Sequence, residues 1–268
     1  MSVDLFEVRS VLFLPASNPR AIAKARESQA DFVVLDLEDA VKPADKTVAR
    51  EAALDAVKSD WRMPVAIRIN GVGTEWHSLD LDAVARSAAD VAVLPRAASA
   101  HLVREVRQAV GKPLLAMIET AAGVLAAPSI AHEAAALIAG TNDLAADLRL
   151  PADAGRPPLQ TALQTIVLSA RGAGVAAFDG VFNRLNDLEG FAAEAREGRQ
   201  LGFDGKSLIH PDQIEPCNRA FGPTDAEVDR ARRLVDASTG GAERFEDQMI
   251  ERMHVEAARR TLVRAGQS

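Results

Sequence analysis

The stretch FVVLDLEDAV, residues 32–41, ends an apolar run in three carboxylates, Asp36, Glu38 and Asp39. Buried charge is costly unless it meets a cation, a donor or a proton, so these acids need a partner or a task. Other apolar runs end in the same manner. PVAIRIN carries Arg68 and Asn70 two residues apart, on one face of a strand. VAVLP is followed by Arg96, PLLAMIE ends at Glu119, and GTNDLAAD brings Asp143 and Asp147. GVAAFD ends at Asp179 and GKSLIH at His210. Gathered at one rim, many acids would surround one or two arginines. Such an oxygen-only set needs a cation and favours Mg²⁺ or Mn²⁺ over zinc. Alternation puts Asp36 and Glu38 on one strand face, with Leu35 and Leu37 on the other. A buried hydrogen-bonding role and a catalytic one both stay open for Asp36.

The elements that must position these groups are eight apolar runs of strand length, at 11–16, 32–38, 64–70, 91–95, 113–119, 135–140, 174–179 and 205–210. Helix-spaced segments such as NPRAIAKARESQA and DKTVAREAALDAV lie between them. Strands alternating with helices imply parallel pairing through right-handed crossovers. Eight such units predict a (β/α)8 barrel of the α/β class, whose active site lies at the C-terminal strand ends. An open doubly wound sheet is the alternative, but no G-x-G-x-x-G follows the first strand. The 141–173 connection is long, with a loop at RLPADAGRPP and a returning helix at LQTALQTIVLSARGAG. The expected domains are a barrel over 1–236 and a tail over 237–268, an extended piece followed by a helix that serves as a lid or an oligomer contact.

Composition narrows the function classes. Net charge is −7, against a nucleic-acid footprint. Cys217 is the only cysteine, so no internal disulfide or cysteine zinc cluster is available, and a reducing, cytoplasmic setting is expected. MSVDLFEVRS does not read as a signal peptide, and no apolar run approaches the roughly 20 residues that span a membrane. Asp45 and Asp225 read as helix-start residues. His77, His101, His132 and His254 have no ligand spacing and read as surface or packing residues.

RSVLFLPASNPR, VLDLEDAVKPADKTVAR, AIRINGVGTEWHSLDL, MIETAAGV, GTNDLAADL, FDGVF and GFDGKSLIHPDQI resemble, in order, the blocks of citrate-lyase beta-subunit-like proteins of the HpcH/HpaI aldolase superfamily. That group also holds malyl-CoA and citramalyl-CoA lyases. The resemblance covers about residues 9–236. It implies a (β/α)8 barrel, Mg²⁺, and cleavage or formation of the C–C bond of a 3-hydroxyacyl thioester, on CoA or an acyl carrier protein, with a 2-oxo acid as the other half. It implies Glu119 and Asp143 as metal carboxylates and Arg68 as the clamp for the oxo acid. Glu38 and Asp39 would hold metal waters. Arg9, Arg20, Arg96 and Lys206 are candidate substrate or CoA contacts. In acyl-CoA lyase relatives an Asp after Met-Ile in the tail reaches a neighbouring subunit's site; Glu251 holds that place here. A homotrimer or hexamer is implied too.

The match departs at Ala16 and Arg149, where glycine is usual, and at Arg96, where lysine is usual. The expected activity is a Mg²⁺-dependent thioester C–C lyase. Alternatives are a citrate lyase beta subunit acting on a carrier protein, a Mg²⁺-dependent thioester hydrolase, and a CoA-binding protein without turnover.

Overall fold

Each apolar run forms a strand because residues buried on both faces favour branched and small apolar side chains. In the structure, a computed structural model that describes residues 3–266, these are β1 (Ser10–Pro15), β2 (Phe32–Asp36), β3 (Val65–Arg68), β4 (Val91–Leu94), β5 (Leu114–Ile118), β6 (Ala136–Ala139), β7 (Ala176–Asp179) and β8 (Gly205–Leu208). They pair in parallel in chain order and close through β1 and β8, as a (β/α)8 barrel requires. Register sets Asp36 opposite Arg68 and Asp179 opposite Lys206. The barrel interior is solid. Phe13, Phe32 and Phe178 fill it against small partners such as Ala66, Ala136 and Ala176.

Helices cover the outside: α1 (Pro19–Arg26), α2 (Lys46–Ala56), α3 (His77–Ala85), α4 (Ala100–Val110), α5 (Ala121–Ala131), α7 (Gln160–Ala173) and α8 (Leu188–Leu201). Several begin on a side-chain cap: Asn18, Ser99, Thr120 and Asp187 each accept an N–H of the first turn. A short helix, α6 (Thr141–Asp147), opens the long connection and was not evident from the periodicity. It ends on Arg149 in the left-handed region, φ 56°. The N–H of Arg149 bonds to Ala146 and that of Leu150 to Ala145, a helix end that glycine usually occupies. Arg96, after β4, is likewise left-handed, φ 50°.

The chain divides into two compact units, Met1–Cys217 and Asn218–Ser268, with α9 (Ile214–Phe221) running across the division. The division comes before the expected 236/237 boundary because α10 (Asp225–Ala237) packs on α11 (Arg252–Arg264). Ala231, Leu234, Phe245, Ile250 and Ala258 form the second unit's own core, which includes the hairpin β9 (Glu243–Phe245) and β10 (Gln248–Ile250). Asp225 does begin a helix, with Thr224 as its cap. Among the described residues no helix is long and apolar enough to cross a membrane.

Candidate active site

Because inward positions alternate along a strand, Val34 faces the core and Asp36 and Arg68 face inward above it. Arg68 is 8% exposed. Its Nε donates to Asp36 Oδ1 at 2.7 Å and its Nη2 to Asp36 Oδ2. Asp36 also accepts the N–H groups of Glu38 (2.8 Å) and Ala40 (3.0 Å). All of its acceptor capacity is spent on the fold, so Asp36 is the hydrogen-bonding anchor of Arg68 and of the turn after β2. Burial works against the charge on Arg68, but Asp36 and Glu38 outweigh it and hold the guanidinium above its usual pKa.

Glu38 Oε2 lies 2.9 Å from Arg68 Nη1. Burial nevertheless pushes the Glu38 carboxyl up to about 8, with Arg68 opposing and Asp39 and Glu119 adding to the rise. Asp39 is exposed and lines the pocket. The turn that carries both is fixed from behind by Lys46. Its Nζ donates to Leu37 O and Glu38 O (both 2.7 Å) and to Asn70 Oδ1 (2.6 Å). Asn70 in turn donates to Asp80, which pairs with Arg50. Asn70 thus supports the site from outside the pocket lining, and His77 joins the same packing through Asn70 O.

Glu119, one residue past β5, is 2% exposed. Its Oε1 accepts the backbone N–H of the left-handed Arg96 at 2.6 Å. No lysine or arginine forms an ion pair with Glu119 among the described residues. Burial pushes its pKa up to about 7, with Asp143 adding to the rise and the Arg96 N–H opposing it. The carboxylate stands on bare backbone: a Cβ on Gly140 would fall 2.5 Å from Glu119 Oε2 and 2.3 Å from its Cβ. Asp143, on α6, lies on the same pocket wall, and Arg96 Nη1 is 3.6 Å from its Oδ1 across a half-exposed pair. The pocket at this rim has a volume of about 360 Å³. Asp36, Asp39, Arg68, Glu119 and Asp143 all line it.

Other expected contacts fall elsewhere. Lys206 is completely buried and bound to Asp179 (2.9 Å) and Glu194 (2.8 Å), so it is no carrier contact. Asp179 belongs to that same outward-facing cluster and not to the rim. The cluster also holds Arg156, 2.9 Å from Asp179 and 3.5 Å from Glu194. Arg9 precedes β1 and is bound edge-on to Asp31, which precedes β2. It therefore sits at the N-terminal end of the barrel, away from the site. Asp147 caps the Ala121 N–H at the start of α5, and His210 accepts the Asp212 N–H. Arg20 is exposed on the first turn of α1, at the C-terminal end of the barrel. Glu251 is exposed in the second unit, and its N–H donates to His254 Nδ1 at 3.0 Å. Lys46 and Gln213, both buried, and Arg156, half-buried, are working parts that the strand-end pattern did not reveal. Only the lysine inside VKPADK, soon after the acidic turn, offered a signal.

Among the described residues no group of three or more His, Cys, Asp or Glu side chains is arranged as a metal cluster. The rim acids are not a shared cage: Asp36 and Asp179 have protein cations, which corrects the expectation that the whole set needs one ion. Glu119 has none, and Asp143 has only the half-exposed Arg96 at 3.6 Å. Two carboxylates on one wall, one of them buried without a cation, fit a hard cation that keeps water or substrate oxygens as its other ligands.

An eight-stranded barrel with a buried arginine and uncompensated carboxylates at its C-terminal mouth has the form of a barrel enzyme site. Residues 9–211 match the family model described as HpcH/HpaI aldolase/citrate lyase, and the chain belongs to that family. A (3S)-malyl-CoA thioesterase from Cereibacter sphaeroides is 40% identical over 269 residues, 96% of this chain and 94% of that protein. The citrate lyase subunit beta of Escherichia coli is 35% identical over 280 residues, 96% and 93% of the two chains. A crystal structure of CitE from Mycobacterium tuberculosis in complex with magnesium, acetoacetate and coenzyme A superposes with a TM-score of 0.85 at 35% identity, covering 98% of this chain and all of that one.

Proposed function

We propose that the protein is a Mg²⁺-dependent enzyme that breaks or forms the C–C bond of a short 3-hydroxyacyl thioester of the malyl, citramalyl or citryl type. The products are an acyl thioester and a 2-oxo acid. Glu119 carries the reading: a carboxylate sealed from water, with no protein cation and with Asp143 beside it, is a group that a divalent ion would ionise. Support comes from the magnesium and coenzyme A bound to the Mycobacterium tuberculosis relative. Pocket size agrees, since about 360 Å³ accommodates a short acyl head but leaves a CoA-sized carrier outside.

Mg²⁺ held by Glu119 and Asp143 would supply Lewis-acid stabilisation of charge on a substrate oxygen. Arg68, immobilised by Asp36, adds a fixed positive charge for the same oxygen without reorganisation. Asp39 at the pocket edge is the group placed to accept the substrate hydroxyl proton. As the C–C bond breaks, its electron pair passes to the thioester half as an enolate, which takes up a proton at carbon. Glu251 of a neighbouring copy in a homo-oligomer is the proposed donor of that proton.

Thioester hydrolysis is the second reading, favoured by the 40% identity to a malyl-CoA thioesterase. Product analysis separates the two. Purified protein with Mg²⁺ is given malyl-CoA, citramalyl-CoA, citryl-CoA and free 4-hydroxy-2-oxo acids. Acetyl-CoA plus a 2-oxo acid is the expected outcome. Free CoA thiol plus intact hydroxy acid establishes hydrolysis instead, and turnover of the free acids alone would sink both thioester readings.

A further inference from the structure

Along β8 the side chains alternate between two different environments. Lys206 turns outward into the buried ion cluster, and Ser207 turns inward to the pocket. Ser207 is 2% exposed, and its Oγ has no hydrogen-bond partner among the described residues. No other pocket-lining residue has a buried side-chain polar atom in that condition. Val11, its partner on β1, belongs to the apolar barrel core, as do Phe13 and Met117, which line the same pocket. Ser207 is therefore an isolated hydroxyl in an apolar floor, facing the same pocket as Arg68 and Glu119. A buried hydroxyl left unpaired costs stability, and an alanine of nearly the same shape would not. Its presence calls for a partner that arrives with the ligand.

We infer that Ser207 is a substrate-binding residue whose hydroxyl donates to a carboxylate oxygen of the 2-oxo acid half; the inference rests on the thioester-lyase reading. Pocket volume selects that half. The small acid fits inside it, while the carrier does not. Electrostatics select a carboxylate, because the pocket that Ser207 faces also holds the guanidinium of Arg68, and an O–H donor to an anionic oxygen makes a strengthened bond. An acid head that lacked the matching acceptor would bury Ser207 unpaired and be disfavoured.

The test uses Ser207→Ala in the full chain. Condensation of acetyl-CoA with glyoxylate, pyruvate and oxaloacetate is followed in the presence of Mg²⁺, and oxaloacetate binding is measured separately by calorimetry. The expected result is a rise of about tenfold or more in KM and Kd for the oxo acid, with the KM for acetyl-CoA unchanged and the melting temperature unchanged or higher. A loss shared by all three acids assigns the bond to the common carboxylate. A loss confined to oxaloacetate assigns it to the additional one. Unchanged KM and Kd, or a lower melting temperature without a binding defect, would overturn the inference. A wild-type protein that condenses none of the acids and binds no oxaloacetate removes the parent reading and this one with it. Oxaloacetate bound by the wild type without turnover leaves the comparison of Kd values to decide on Ser207 alone.

Discussion

Two buried ionic clusters share this barrel and differ in balance. Under α8, Asp179 and Glu194 meet Lys206 and Arg156, each acid within 3.5 Å of a cation. Burial works to raise the Asp179 pKa, but Lys206 and Arg156 outweigh it and hold the carboxyl below its ordinary value. At the mouth, Arg68 is spent on Asp36 and Glu38, so Glu119 has no cation and its pKa rises. The first cluster is finished by the chain itself. The second is finished only by something added, and that imbalance marks where the chemistry belongs.

The largest effect should come from breaking the unbalanced side. Glu119→Ala is expected to lower Mg²⁺-dependent turnover by about a thousandfold or more, while the unfolding midpoint holds or rises, because an uncompensated buried carboxylate is gone. Steady-state rates across a Mg²⁺ titration, with urea unfolding alongside, check both halves. Retained Mg²⁺-dependent turnover would take Glu119 out of the metal site and erase the distinction between the clusters.

Breaking the balanced side should give the mirror image. Lys206→Met leaves Asp179 and Glu194 to share Arg156 alone in the fold and should cost roughly 3 kcal/mol of stability, read as a lower urea midpoint with unchanged slope. The KM for the oxo acid should stay near the wild-type value, since Lys206 points away from the pocket. A stable variant with a defective KM would mean that this cluster, too, serves the site.

The difference between the clusters also explains what could be read without coordinates. Eight strands were legible because apolar runs alternating with helical spacing have one economical closure, and every run became a strand. That Arg68, Glu119 and Asp143 would face one pocket was legible because strand ends at one rim converge whatever the helices do. Lys206 was misplaced for the same reason: a lysine near a strand end reads alike whether it faces in or out, and only the register against Asp179 decides. Asp36 could not be sorted from Glu38 by sequence, since they share a face; what separates them is which one the guanidinium grips edge-on. Lys46 and Arg156 reach their partners from a helix start and a loop, where no periodicity points. The unit division moved because α10 has an apolar face that the tail covers, a choice of partner that hydrophobic spacing leaves open.

The smallest effect concerns pH, where the clusters should respond with opposite signs. Asp179 has a lowered folded-state pKa, so its contribution to stability is present at neutral pH and is lost as pH falls through that low value. Glu119 is raised from 4.5 to about 7 and Glu38 from 4.5 to about 8. Their contributions are complete below 4.5 and disappear as pH climbs through 7 and 8, because ionising each costs more in the fold than in the unfolded chain. For Glu119 that loss is on the order of 3 kcal/mol at most. Metal-free protein should therefore melt several degrees lower at pH 8 than at pH 6. Mg²⁺ should raise the melting temperature more at pH 8, since the ion binds the ionised form and compensates the charge that burial penalises. Glu119→Gln should flatten the pH dependence of the Mg²⁺ shift and remove only the Glu119 share of the metal-free loss, leaving the share of Glu38 and the acid limb of Asp179 in place. A Mg²⁺ shift of equal size at the two pH values would place the ion away from Glu119, because only a carboxylate still titrating near neutrality couples metal binding to protons in this window.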